Sequence, residues 1–156
     1  MKHKTKILMV CLGNICRSPL AEGVMRSKLD PEKFEVDSAG TSDYHVGLTP
    51  DPRSIEVARK NGIDISSLKG RQFTSADFDY FDYIFVMDKS NYQNVIRLAK
   101  TQEQKNKVSL LLDALESTNQ EELPDPYYGD KTQFRIVFSA IDNACNKITN
   151  KLTNKS

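Results

Sequence analysis

The chain has 156 residues and a mass of 17.7 kDa, which predicts one folded domain spanning residues 1–156. Its 22 Lys and Arg residues balance its 21 Asp and Glu residues to a net charge of +1, which excludes a strongly basic nucleic-acid-binding protein. Two histidines and three cysteines without a Cys-x-x-Cys pair disfavour a multi-histidine metal site, a structural zinc site and a secreted disulfide framework. Because no stretch approaches the roughly 18 apolar residues of a membrane span, we expect a cytoplasmic protein without a membrane partner.

The N-terminal part of the chain alternates predicted strands and helices. An apolar run predicts a strand over residues 5–11, buried on both faces. Ser18-Pro19 is typical of a helix N-cap with a proline in the first turn, and Asp30-Pro31 ends that helix. Residues 34–38 follow as a second strand, with a turn at Ala39-Gly40.

The rest of the chain continues the alternation. The predicted elements are a loop over 41–50, a helix from Asp51-Pro52 to Gly62, a strand over 83–87, a helix from Asp88 to Ala99, a strand over 108–112, a loop over 113–130 and a helix from about Thr132 to the C-terminal end. Such alternation predicts a parallel sheet covered by helices on both faces, with ligands binding beyond the carboxyl ends of the strands.

The segment Cys11–Pro19 joins the first strand to the first helix. A loop of this kind forms a concave nest of backbone N–H groups in front of a helix N-terminus, which suits a phosphate dianion. Gly13 and Asn14 tolerate unusual backbone angles, and Arg17 offers a planar fork for phosphate oxygens. These donors converge on Cys11 and stabilise its thiolate, which makes a nucleophile.

A thiolate that attacks a phosphate ester forms a phosphocysteine, and the leaving oxygen then needs a general acid. The candidates are His45 and Asp125, the latter held between two prolines and followed by Tyr127-Tyr128. Ser18 has two candidate roles, to cap the first helix or to donate a hydrogen bond to the Cys11 sulfur.

These segments resemble the low-molecular-weight protein tyrosine phosphatases. The matching pieces are Val10–Pro19, Asp37–Thr41, Val86–Asp88 and Asp125–Gly129, in the family's order and spacing. The resemblance implies a three-layer α/β fold with a four-stranded parallel sheet and flavodoxin-like winding, and a mechanism without metal or cofactor. It implies Cys11 as nucleophile, Arg17 as phosphate clamp and Asp125 as general acid and then base. The family positions that order the phosphate loop by hydrogen bonds correspond to Asn14, Ser18 and Ser38.

The expected partner is a phosphotyrosine-bearing protein, with the phosphate or another oxyanion held in the loop and a monomer as the default state. The predicted substrate-binding residues are Leu12, Gly13, Asn14, Ile15, Cys16, Ser18, Tyr44, Tyr127 and Tyr128. Four of them, Leu12, Tyr44, Tyr127 and Tyr128, are expected to form an apolar slot around a phenyl ring. A deep slot of this kind favours phosphotyrosine over the shorter phosphoserine.

Cys16 matches the family's second loop cysteine and is expected to form a reversible disulfide with Cys11, whereas Cys145 is expected to lie in the core. The chain departs from many animal members because residues 67–72 contain no histidine. Protein-arginine phosphatases share the scaffold but by resemblance have Thr where this chain has Ile15. Arsenate reductases of this fold need further cysteines, which residues 18–144 lack. The alternative outside the enzymes is a phosphate-binding or phosphocysteine-carrier protein that does not turn over.

Overall fold

A four-stranded parallel sheet organises the protein, and a computed structural model describes residues 3–115 and 123–153. The strands are β1 (Thr5–Cys11), β2 (Phe34–Gly40), β3 (Tyr83–Val86) and β4 (Val108–Leu110). They lie in the order β2-β1-β3-β4, and every neighbouring pair is parallel. The chain therefore winds outward from β1 in both directions. The carboxyl end of β1 lies at the switch point of the strand order, where α/β sheets bind ligands.

Helices cover both faces of the sheet, and the predicted three-layer α/β fold is confirmed. The helices are α1 (Arg17–Lys28), α2 (Pro52–Lys60), α3 (Asp77–Tyr80), α4 (Lys89–Leu98), α5 (Gln102–Asn106) and α6 (Lys131–Thr153). One face of the sheet packs with α1, α2 and α6, and the other packs with α3 and α4.

Strand β1 lies between two other strands and two layers of helices, which explains its unbroken apolar run. Ile7 and Met9 belong to the core under α1 and α6, whereas Leu8 and Val10 belong to the core under α4. All four side chains are fully buried. At about 1.5–3 kcal/mol for each buried aliphatic side chain, this strand is a main source of stability and fixes the position of Cys11 at its end.

The ends of two strands and the presence of two short helices differ from the sequence prediction. Ala39-Gly40 is not a turn but the end of β2, because Gly40 pairs with Cys11 and forms a bridge to Gln72. Strand β4 ends at Leu110, and a 3₁₀ helix over Leu111–Leu115 replaces the rest of the predicted strand. Helices α3 and α5, of four and five residues, are too short to produce a periodic pattern.

The second and third predicted helices, which are α2 and α4 of the structure, begin as expected. Asp51 caps α2 by accepting a hydrogen bond from the Arg53 N–H, and Asp88 caps α4 by accepting one from the Asn91 N–H. Gly62, two residues beyond α2, has a φ of 77°, the left-handed conformation that ends helices.

Part of the predicted loop over 113–130 and the last residues of the predicted C-terminal helix, at 116–122 and 154–156, lie outside the described residues. Among the helices that the structure describes, none combines the length and apolar character needed to cross a membrane.

Candidate active site

A pocket opens at the carboxyl end of β1, beside the loop of residues 12–16 that leads into α1. Its walls come from the residues Cys11, Leu12, Gly13, Ile15, Cys16, Arg17, Tyr44, His45, Asp125, Tyr127 and Tyr128. Three separate parts of the chain therefore meet here, namely the β1–α1 loop, the loop after β2 and the segment before α6.

Cys11 lies at the base of this pocket with only 3 % of its surface exposed. The backbone N–H of Asn14 donates a hydrogen bond to the Cys11 Sγ at 3.2 Å, and the Ser18 Oγ lies 3.0 Å from the same sulfur. The Ser18 hydroxyl accepts a hydrogen bond from the Asn14 side chain at 2.7 Å, and its own proton can be donated either to the sulfur or to the Ala39 carbonyl at 3.4 Å. The Asn14 N–H thus donates to Cys11, and the Ser18 hydroxyl is placed to donate a second hydrogen bond to the same sulfur.

Asn14 shapes the loop through both its backbone and its side chain. Its φ of 58° makes it the single non-glycine residue with positive φ among the described residues. Its amide nitrogen donates to Ser18 and Ser38, and its amide oxygen accepts from the Arg71 N–H at 3.0 Å. Asn14 therefore holds the loop in the conformation that points its own N–H at Cys11.

The network behind the loop ends at a buried carboxylate. The Ser38 hydroxyl donates to Glu22 at 2.6 Å, and Arg26 forms an ion pair with Glu22 at 2.6 Å. Burial raises the pKa of Glu22 above its ordinary value, although the hydrogen bond from Ser38 and the charge of Arg26 oppose this effect. These contacts hold Ser38 in place in a chain that has no histidine at 67–72.

The start of α1 differs from the prediction and removes one of the two candidate roles of Ser18. Cys16 is the N-cap residue, without a side-chain capping bond, and α1 begins at Arg17. Ser18 therefore does not cap the helix. Its hydroxyl instead contacts Cys11 and Asn14, the second of its two candidate roles.

Arg17 lies under the pocket with 1 % of its surface exposed. Its Nη1 donates to the Asp88 carboxylate and to the Leu123 carbonyl, both at 2.8 Å. Its Nη2 lies 3.6 Å from Asp125 and lines the pocket. Burial opposes the charge, but Cys11, Asp88 and Asp125 together raise the pKa of Arg17 above its ordinary value. One nitrogen thus anchors the guanidinium, and the other remains for an oxyanion.

Asp125 reaches the pocket from the segment between the described residues Leu123 and Lys131. Its Oδ1 accepts a hydrogen bond from the Tyr127 N–H at 3.1 Å, an Asx turn that fixes the carboxylate locally. Its side chain is 40 % exposed, so it is open to solvent from the pocket mouth. This carboxylate can exchange protons with a group bound above Cys11.

Aromatic residues form the rim of the pocket. The rings of Tyr127 and Tyr128 meet edge to face at 4.9 Å, and the His45 ring lies 6.2 Å from Tyr127. Tyr44 and Tyr128 are 76 % and 96 % exposed, whereas Tyr127 is 37 % exposed. The rim can contact an aromatic ring whose attached anion reaches the base of the pocket.

The structure brings the predicted site residues together, with one distinction. Asn14, Ser18 and Ser38 do not line the pocket but lie buried behind the loop. Sequence reasoning missed the contribution of Arg53, which binds the segment after Asp125, and that of Asp88 to Arg17. The Val86–Asp88 segment that resembles the family could have indicated a role for Asp88. An arginine that follows Asp-Pro, as Arg53 does, has no comparable motif in the sequence.

The two cysteines other than Cys11 are buried thiols. Burial raises the pKa of Cys16 far above its ordinary value, and the nearby Asp51 and Cys11 add to this effect. Cys145 is fully buried in the core, as predicted, and burial raises its pKa to about 12. Within residues 3–115 and 123–153, no cluster of three or more His, Cys, Asp or Glu residues could hold a metal ion.

Comparisons with known proteins agree on one family. The family model for low molecular weight phosphotyrosine protein phosphatases matches residues 6–156. A mouse low molecular weight phosphotyrosine protein phosphatase is 41 % identical over 151 residues, covering 93 % of this chain and 94 % of that protein. These comparisons give no support to the arginine-phosphatase or carrier alternatives.

Solved structures give the same result. A protein tyrosine phosphatase from Entamoeba histolytica, with Hepes in its active site, has a TM-score of 0.90 and 38 % identity, covering 97 % of this chain and 99 % of that one. Wzb from Vibrio vulnificus, in complex with benzylphosphonate, has a TM-score of 0.85 and 34 % identity, covering 96 % of this chain and 99 % of that one.

Proposed function

The chain belongs to the low molecular weight phosphotyrosine protein phosphatase family, and we propose that it hydrolyses protein phosphotyrosine through a phosphocysteine on Cys11. One observation carries this mechanism. The Cys11 sulfur accepts a hydrogen bond from the Asn14 N–H and contacts the Ser18 hydroxyl, and Arg17 and Asp125 line the same pocket. Nucleophile, cation and acid are thus within one cavity, as acid-assisted phosphoryl transfer to a thiolate requires.

In the first step the Cys11 thiolate attacks phosphorus. A sulfur–phosphorus bond forms while the bond to the phenolic oxygen breaks, and Asp125 gives its proton to that oxygen. In the second step Asp125 takes a proton from water, which attacks phosphorus and releases inorganic phosphate and the Cys11 thiolate. The charge on the transferring phosphoryl group is stabilised by Arg17 and the N–H groups of the loop.

The position of Arg17 supports a clamp that is already oriented before substrate arrives. Because Nη1 is held by Asp88 and the Leu123 carbonyl, the guanidinium plane is fixed and little side-chain freedom remains to be lost. The free side of the fork faces Asp125 at 3.6 Å. A phosphate dianion would replace this weak contact with a charge-assisted hydrogen bond.

The rim favours an aromatic phosphate ester. Tyr127 and Tyr128 lie on one side, Tyr44 on the loop after β2, and Leu12 beside the nucleophile. The benzylphosphonate complex of the Vibrio relative supports an aryl group above the phosphate site. Ile15 lines the pocket where the related arginine phosphatases have Thr, and its apolar bulk disfavours a phosphoguanidinium.

Steady-state phosphate release from a phosphotyrosine peptide and from a phosphoarginine peptide tests this proposal. We expect many turnovers on phosphotyrosine, fewer on phosphoarginine, and none on either after Cys11→Ser. Cys145→Ala is the matched control, because it removes a buried thiol in the core of α6 and away from the pocket.

The outcomes separate the alternatives. Preference for phosphoarginine would contradict the role given to Ile15 and the tyrosine rim while leaving the covalent mechanism in place. Release of at most one phosphate per chain would instead indicate a carrier. Full activity of the Cys11→Ser variant would refute the nucleophile assignment.

A further inference from the structure

Arg53, in the first turn of α2, joins two loops that meet at the pocket. Its Nε and Nη2 donate to the two oxygens of Asp51 at 3.0 and 2.9 Å. Its Nη1 donates to the Gly129 carbonyl and its Nη2 to the Tyr127 carbonyl, both at 2.7 Å. The guanidinium also lies 4.5 Å from the ring centre of Phe134 on α6. One side chain thus makes four hydrogen bonds and a cation–π contact.

The same end of α2 holds the phosphate loop. The Asp51 N–H donates to the Ile15 carbonyl at 2.8 Å, and the Ser54 hydroxyl donates to the Cys16 carbonyl at 3.3 Å. Asp51 is therefore bound to the phosphate loop through its backbone and to Arg53 through its carboxylate. This arrangement connects the nucleophile's loop to the segment that carries Asp125.

The two carbonyl groups that Arg53 binds lie two and four residues after Asp125. Between Asp125 and Tyr127 the chain closes an Asx turn, so the position of the Tyr127 backbone also determines where the Asp125 carboxylate lies. The Gly129 N–H donates to the Pro126 carbonyl at 2.8 Å, which makes Pro126–Gly129 a compact turn. Fixing Tyr127 and Gly129 therefore fixes the turn that follows the acid.

We propose that Arg53 is a positioning residue that sets the distance and orientation of Asp125 relative to the phosphate loop. The proposal rests on the proposed function, because it assumes that Asp125 protonates the leaving group. Arg53 does not line the pocket, so it acts on Asp125 through the Tyr127–Gly129 backbone, while Asp51 ties it to the phosphate loop. Arginine suits this role because its planar fork reaches a carboxylate on one side and two carbonyl groups on another.

The test compares aryl phosphates whose leaving phenols range from good to poor. Arg53→Met removes all four hydrogen bonds while retaining an apolar side chain beside Phe134. Arg53→Lys keeps the charge but loses the fork. Arg59→Met is the control, because Arg59 is an exposed arginine on the last turn of the same helix.

We expect Arg53→Met and Arg53→Lys to lower kcat/KM for the poor leaving groups by about tenfold, part of the 10²–10⁴-fold that general acid catalysis supplies. This ratio reports the steps up to formation of the phosphocysteine, where Asp125 acts as acid, and not the second step, where it acts as base. For the best leaving group, which needs little protonation, the loss is expected to stay within about twofold. The inhibition constant of inorganic phosphate is expected to be unchanged, because the phosphate loop keeps its own hydrogen bonds. The Arg59→Met control is expected to match the wild type in every measurement.

A double variant makes the test decisive. In an Asp125→Ala background, adding Arg53→Met is expected to change kcat/KM little, since the group that Arg53 positions is gone. Three results would each overturn the inference. They are equal losses of kcat/KM for good and poor leaving groups, an equally large weakening of phosphate binding, and losses that multiply in the double variant. If Asp125→Ala itself shows no dependence on the leaving group, the acid assignment of the proposed function fails instead.

Discussion

Replacing Asn14 with alanine tests whether the network behind the phosphate loop stabilises both the fold and the nucleophile. The side chain makes three hydrogen bonds, at 2.7, 3.0 and 3.0 Å, in a region where 3 % of the residue is exposed. At about 1 kcal/mol each, their loss lowers the free energy of unfolding by about 3 kcal/mol. Alanine at a φ of 58° adds about 1 kcal/mol, for a total near 4 kcal/mol.

Urea denaturation followed by circular dichroism measures this loss, because a domain of this size is stable enough to stay folded after it. Asn14→Gly is the matched variant, since glycine loses the same three hydrogen bonds but adopts the left-handed conformation without strain. We expect similar stability losses from both variants, because glycine avoids the strain but loses about 0.5–1 kcal/mol more backbone entropy on folding than alanine does. Turnover is expected to survive better with glycine, which keeps the backbone N–H aimed at Cys11.

A loss below about 1 kcal/mol in both variants would refute the reasoning, because it would mean that the buried amide gains no more from its partners than from water. Equal turnover of the alanine and glycine variants would refute the link between the left-handed backbone and the Cys11 contact.

Three further predictions concern neighbouring groups. Burial raises the pKa of Glu22, so the folded state loses stability as pH rises from about 4.5 through that raised value. In denaturation curves, the stability of Glu22→Gln relative to wild type is therefore expected to increase over this range. A difference that stays constant with pH would contradict the prediction. Mild peroxide is expected to inactivate the enzyme reversibly. It converts the Cys11 thiolate to a sulfenic acid, which condenses with the Cys16 thiol to form a disulfide and releases water. If mass spectrometry finds no Cys11–Cys16 bond after peroxide treatment, this prediction is wrong. Gly40→Ala places a Cβ 2.8 Å from the Leu12 carbonyl oxygen and 3.1 Å from the Asn14 backbone nitrogen. This crowding is expected to lower the free energy of unfolding by about 1–3 kcal/mol and to reduce turnover. Wild-type stability and turnover would show instead that the loop can shift to make room.

The sequence predicted the sheet and the main helices because their signals are local. The apolar run of β1, the Asp51 and Asp88 caps and the glycine after α2 act over a few residues. The end of β2 was wrong because Ala39-Gly40 has the composition of a turn, whereas pairing with β1 and the bridge to Gln72 keeps it extended. Pairing between distant segments leaves no local pattern.

The candidate site divides in the same way. The nucleophile, the clamp and the acid were predicted from motifs, and their assignment remains a prediction. The contacts that hold them were not predictable, because Arg17 binds Asp88 and Leu123 across 71 and 106 residues of sequence. Arg53 reaches across 74 and 76 residues to Tyr127 and Gly129 in the same manner. Such pairs follow from the winding order of the sheet, which brings the loops after β1 and β3 beside the segment before α6.

The burial of Arg17 couples catalysis to the folding of the whole domain. Arg17 begins α1, its carboxylate partner begins α4, and its carbonyl partner, Leu123, donates its own N–H to the Met87 carbonyl after β3. The clamp is complete only when these separated segments are docked, so a partly open molecule that releases one of them has no oriented cation for phosphate. Local release of any one segment is therefore expected to abolish activity, so the loss of activity on heating is expected to begin at or below the temperature at which the sheet melts cooperatively.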